Sequence, residues 1–96
     1  MMDKMVKRLT KIKEYMDIVS ERNELIFLWN TKNIIDLREH LNTLCYKYPV
    51  EVSIYNMTHP IPSQSIEGSA MEAMDFLDGL LKAKTLDLRN TLFRTY

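Results

Sequence analysis

Along residues 3–20 the apolar positions Met5, Leu9, Ile12, Met16 and Val19 advance by steps of 4, 3, 4 and 3, with charged side chains between them. That spacing predicts an amphipathic helix over 3–20, with Asp3 placed to cap it. Residues 24–29, Glu-Leu-Ile-Phe-Leu-Trp, break the rhythm with an almost unbroken apolar run. A short run of this kind reads as a strand buried on both faces, and the competing reading carries the first helix on to Trp29. Asn30 to Asn33 punctuate the chain and offer caps. Ile34, Leu37, Leu41, Leu44 and Tyr48 then step by 3, 4, 3 and 4, which predicts a helix over 33–47 that stops before Pro49. Residues 50–55, Val-Glu-Val-Ser-Ile-Tyr, alternate and read as a half-buried strand. A loop over 56–68 follows, in which Pro60 and Pro62 favour extended backbone. Ser69 and Glu72 have capping-box spacing and open a last helix over 69–93, where Ala70, Met74, Leu77, Leu81, Leu88 and Leu92 fall on one line.

The order helix–strand–helix–strand–helix predicts one α/β domain over residues 1–96. Its two strands would pair in parallel through a right-handed crossover. Two parallel strands alone make a poor sheet, so the sheet is expected to continue across a partner chain. The alternative is an all-α arrangement of three helices, with 50–55 as an extended connection.

Composition changes this picture little. Apolar residues make up 46% and charged residues 27%, an ordinary globular balance. Thirteen basic residues meet thirteen acidic ones, so no field of one sign acts on the molecule as a whole. The single cysteine, Cys45, allows no intrachain disulfide and points to a reducing setting. It adjoins the apolar stripe of helix 33–47 and reads as a buried thiol. The chain opens on charged residues without a leader pattern, and its longest apolar run is far too short to span a bilayer. These features predict a cytoplasmic protein with no membrane partner. Few alanines and glycines beside many Ile, Lys, Asn and Met suggest an AT-rich genome such as a bacteriophage's.

Charge is unevenly placed. Lys4, Lys7, Arg8, Lys11 and Lys13 crowd the start of the first helix, and its end is acidic. The last helix begins acidic at Glu67, Glu72, Asp75 and Asp78 and ends basic. Both topologies are expected to set these two helices parallel, so that opposite charges neutralise one another. The competing reading makes Lys4, Lys7, Arg8 and Lys11 an anion-binding surface. In a parallel sheet, Asn30, Thr31 and Lys32 would also lie beside Asn56, Thr58 and His59 at the edge where such sheets bind ligands. There is no Gly-rich phosphate loop and no paired Cys/His spacing, so neither a cofactor nor a metal is expected. His40 and Cys45 point about 140° apart on one helix and cannot act as base and nucleophile.

The last helix, about 36 Å long if unbroken, would overhang a compact body. Leu86 and Phe93 lie opposite its core line, so Leu86, Phe93 and Tyr96 are the expected contact with another chain. The expected function is an intracellular protein–protein interaction module, dimeric, an inhibitor or adaptor that binds and does not catalyse. The alternative is a nucleotide or nucleic-acid binder using the basic start and the two loops.

Overall fold

The structure is a computed structural model and describes residues 2–59 and 61–93. Among the described residues four helices follow one another: α1 (Met2–Asn30), α2 (Ile34–Lys47), α3 (Pro49–Thr58) and α4 (Ile66–Phe93). Among the described residues there is no strand. The α/β expectation and the sheet shared with a partner chain are therefore corrected to an all-helical fold. The all-α alternative fits the class, but its extended connection is itself helical.

Each misread segment has a physical reason. Residues 24–29 continue α1, where Leu25 and Leu28 are buried while Phe27 is exposed, a spacing of three that belongs to a helix. The run looked continuous because α1 is flanked there by both α2 and α4. Residues 50–55 lie in α3, which Pro49 opens at its first turn, a position where the missing N–H costs nothing. Val52 and Tyr55 pack on the core three residues apart, with Val50 and Ile54 outside. Six residues satisfied both the period of a strand and that of a helix.

The joints are locally determined. Lys32 adopts φ 58°, the left-handed conformation that ends α1. Asn33 N–H bonds to the Leu28 carbonyl at 3.1 Å and Lys32 N–H to that of Trp29 at 3.2 Å, which is the Schellman pattern. Asn33 then caps α2 through its side chain, which accepts from Asp36 N–H at 3.1 Å. Ser65, not Ser69, supplies the side-chain cap of α4, its hydroxyl accepting from Gly68 N–H at 3.0 Å. Glu72 reaches back further and accepts from Ser63 N–H at 2.8 Å, tying the connection 59–65 to α4.

The ion pairs Lys11–Asp87, Glu14–Lys84 and Arg22–Asp78 show that α1 and α4 run antiparallel along their length, not parallel. α2 returns along α1 and α3 leans on α4, with Tyr48 and Tyr55 edge-on to Phe76. The buried core is Ile18, Leu25, Leu28, Leu37, Leu44, Ala70, Phe76 and Leu77. All of it lies at one end. The radius of gyration is 15.4 Å, against roughly 12–13 Å for a compact chain of this length.

Two glycines in α4 separate helix propensity from packing. A Cβ on Gly79 would meet nothing within 4 Å, so Gly79→Ala is expected to raise stability by about 0.5–1 kcal/mol. A Cβ on Gly68 would run into the Ser63 side chain. Gly68→Ala is expected to lower the melting temperature despite the same gain in propensity. Thermal melts of the two variants beside the parent check both signs.

Candidate interaction surface

α2 and α3 cover only one end of the α1–α4 hairpin. The end of α2 and the start of α3 reach the level of Glu14, Ile18, Leu80 and Lys84, where Lys47, Tyr48 and Glu51 close a small cleft. Beyond that level α1 and α4 pack only on each other among the described residues, as an arm about 15 Å long. No described residue before Ile18 or after Leu77 is buried.

Two ion pairs cross the arm beside the half-buried Tyr15, Leu81 and Leu88. Lys11 Nζ sits 2.8 Å from Asp87 Oδ2 and Lys84 Nζ 3.0 Å from Glu14 Oε2. The hydrogen bond to Asp87 raises the Lys11 pKa, and the same bond lowers that of Asp87. With Asp87 depressed, its contribution is lost as pH falls through the folded pKa; with Lys11 raised, its contribution is lost as pH rises past 10.5. The pair therefore stands from mild acid to high pH.

This charged line on α1 leaves the apolar stripe without a covering element among the described residues. Met5 is 65% exposed, Leu9 60%, Ile12 38% and Met16 54%. On a helical wheel the stripe is turned about 150° from the line of Lys11, Glu14 and Ile18 that faces α4. Its steps of four and three are the a/d repeat of a coiled-coil seam, a narrower pattern than the face of a helix sunk in a globular core. The sequence shows the stripe but not its outward direction, since α2 carries the same steps on its buried face.

The same side of the hairpin opens into an apolar cleft of about 540 Å³ between the other halves of α1 and α4. It is lined by Leu25, Ile26, Trp29 and Met74, with the exposed Met71 and the acids Glu67, Asp75 and Asp78 at its rim. Sequence reading gave those acids no role beyond neutralising α1. Antiparallel packing has the opposite effect, because it gathers like charges. Residues 3–13 with 82–93 carry eight basic side chains against two acidic ones, and residues 14–81 carry eleven acidic against four basic. The molecule has a basic arm and an acidic body.

The residues singled out in the sequence separate into three places. Lys4, Lys7, Arg8 and Lys11 are on the arm, together with Leu86, which is exposed between Lys82 and Arg89 on α4. The Phe93 side chain and Tyr96 lie outside the described residues. Asn30, Thr31 and Lys32 end α1: Thr31 Oγ1 donates to the Phe27 carbonyl at 2.9 Å, and the Lys32 ammonium sits 4.6 Å from the Trp29 ring centroid. Asn56, Thr58 and His59 end α3, so the single ligand site expected at a sheet edge is not assembled. Thr58 Oγ1 donates to the Tyr55 carbonyl at 3.0 Å, and His59 stacks on the Tyr55 ring at 3.9 Å. The Tyr55 hydroxyl donates to Asp75 Oδ2 at 3.1 Å. Partial burial, with that bond second, pushes its pKa up to about 12.

Cys45 is exposed and not buried as expected, since it lies beside the line of Leu37 and Leu44 on the wall of a second cleft. That cleft, of about 490 Å³, is lined by polar groups that include Arg38, Asn42, Asn56 and Glu72. His40 is turned away from Cys45: its Nε2–H donates to the Glu21 carbonyl at 3.2 Å, beside the Lys47–Glu21 ion pair at 2.7 Å. Among the described residues no group of three or more His, Cys, Asp or Glu is placed to hold a metal, and no helix is long and apolar enough to cross a membrane. The chain matches no family model, no curated protein and no solved structure.

Proposed function

We propose that this chain is a protein–protein interaction module that works as a homodimer and acts by binding, as an inhibitor or adaptor does, without catalysis of its own. The exposed a/d stripe of Met5, Leu9, Ile12 and Met16 on an arm without a buried core carries the reading. Contiguous apolar surface of this kind is rare on monomers and marks a contact with another macromolecule. Light scattering coupled to size exclusion tests it. The expected result at micromolar concentration is a particle of twice the 11.4 kDa chain mass. A monomer at high micromolar concentration would overturn it.

A second reading is favoured by the basic arm: binding of a nucleic-acid backbone along Lys4, Lys7, Arg8 and Lys13. These four make no ion pair among the described residues. Phosphate contacts would make affinity for a short oligonucleotide fall steeply with salt. Absence of binding at low salt removes this reading and leaves the first intact.

A further inference from the structure

The hairpin displays two surfaces on the side away from α2 that are complements of each other. One is the arm, with an apolar stripe bordered by Lys4 and Arg8 on its α4 edge. The other is the cleft, with an apolar floor bordered by Glu67, Asp75 and Asp78. The stripe from Met5 to Met16 and the rim from Glu67 to Asp78 each span twelve residues, about 16 Å of helix between the end residues. Stripe and rim are equal in length, and Lys4 and Arg8 beside the stripe are opposite in charge to the rim, where Asp78 also pairs with Arg22 and Asp75 accepts from the Tyr55 hydroxyl.

They cannot meet within one chain, because they lie at opposite ends of the same stiff hairpin. A second copy can bring them together. If one hairpin is turned over about an axis across its helices and laid face to face on the other, each arm lies on the other copy's cleft, with the two α1 helices antiparallel. The operation is two-fold, so the interface closes and both contacts are made at once. The α4 edge of each arm, with Lys4 and Arg8, then faces the partner's α4, which carries the acidic rim.

We infer that the occupant of the cleft is the basic arm of a second copy of this chain, in an isologous dimer whose centre is a four-helix bundle of two α1 and two α4 helices. The inference rests on the homodimer reading and adds its geometry. α2 and α3 stay on the outside of such a dimer. Their exposed apolar residues Tyr46, Val50, Ile54 and Met57 remain available to a different partner.

Paired charge reversal provides the test. In one variant the arm is reversed (Lys4→Glu with Arg8→Glu), and in another the rim is reversed (Glu67→Lys with Asp75→Lys). Alone, each variant would set like charges against each other at both contacts. Self-association is expected to weaken on the order of 100-fold, as like-charge juxtaposition across an interface is strongly unfavourable. Mixed in equal amounts, both contacts of the heterodimer become attractive again, and dimer mass is expected to return. Raising salt from about 0.05 to 0.5 M should shrink both the loss and the rescue. The milder pair Lys4→Gln with Arg8→Gln, which introduces no repulsion, should weaken the dimer and flatten its salt dependence. Circular dichroism melts, run on every variant, confirm that each is folded.

If the wild-type chain is a monomer, the homodimer reading itself fails. If the wild type is a dimer and each reversed variant dimerises alone as well as it does, the reading stands and arm-in-cleft docking is overturned. Folded variants that stay monomeric when mixed overturn it too.

Discussion

Leu77→Ala is expected to cost about 3–4 kcal/mol of folding stability. Leu77 is fully buried on α4, in a core of eight buried residues among those described, all at one end of the hairpin. Truncation removes the transfer contribution of the lost methyl groups and leaves a cavity that three neighbouring helices cannot close without giving up contacts of their own. A chain of this size has roughly 5–14 kcal/mol in total, so the loss takes a large share. At about 4–8 °C per kcal/mol for a domain of this length, the melting temperature should fall by roughly 15–25 °C. Leu86→Ala, by contrast, removes a side chain that is 62% exposed, and it should change stability by less than about 0.5 kcal/mol. Melts at one fixed protein concentration compare the two, because association would make the midpoint depend on concentration. A Leu77→Ala protein that melts within a few degrees of the parent would mean that the core lies elsewhere.

The sequence was legible where a pattern was long and unambiguous. The stripe from Ile34 to Leu44 with Asn33 before it marks α2, and the line from Ala70 to Leu88 marks α4. It failed where a window was short. Residues 50–55 alternate like a strand, yet the decisive facts lie just outside them: Pro49 suits a helix start, and Tyr48, Val52 and Tyr55 share one helical face. Residues 24–29 carry no breaker before them, so a continuing helix cost nothing that a strand would have saved.

Charge shows the same limit at larger scale. The basic start of α1 and the basic end of α4 were both visible in the sequence, but their meaning depends on one relation the sequence does not print, the relative direction of the two helices. Parallel packing would have neutralised them. Antiparallel packing, set by the Lys11–Asp87, Glu14–Lys84 and Arg22–Asp78 pairs, collects them at one pole and places the acidic segments at the other. The stripe on α1 was legible as a stripe. Whether it faced inward or outward was not, because that follows from which face of α1 receives α4. It receives Lys11, Glu14 and Ile18, and the stripe is left outside.

That outward stripe predicts a variant whose effects on folding and on assembly separate. Leu9→Glu with Met16→Glu places two carboxylates on exposed positions of α1. Glutamate is as good a helix former as methionine or leucine, and neither side chain contributes to the buried core. The fold should be unchanged, with the stability of the monomer altered by less than about 0.5 kcal/mol per site. In the proposed dimer the same substitutions would bury two charges inside the interface. Burying one unpaired carboxylate costs several kcal/mol, enough to weaken association by a factor of a thousand or more. The expected outcome is a protein with the parent's helical signal that runs as a monomer at every concentration tested. Its melting temperature should also be independent of protein concentration, whereas that of the parent is expected to rise with concentration if association stabilises the folded state. A double variant that keeps dimer mass would place the contact on another face, and the exposed row of Val50, Ile54 and Met57 on α3 is the next to substitute. A double variant that loses its helical signal would show instead that the stripe serves the monomer's own core.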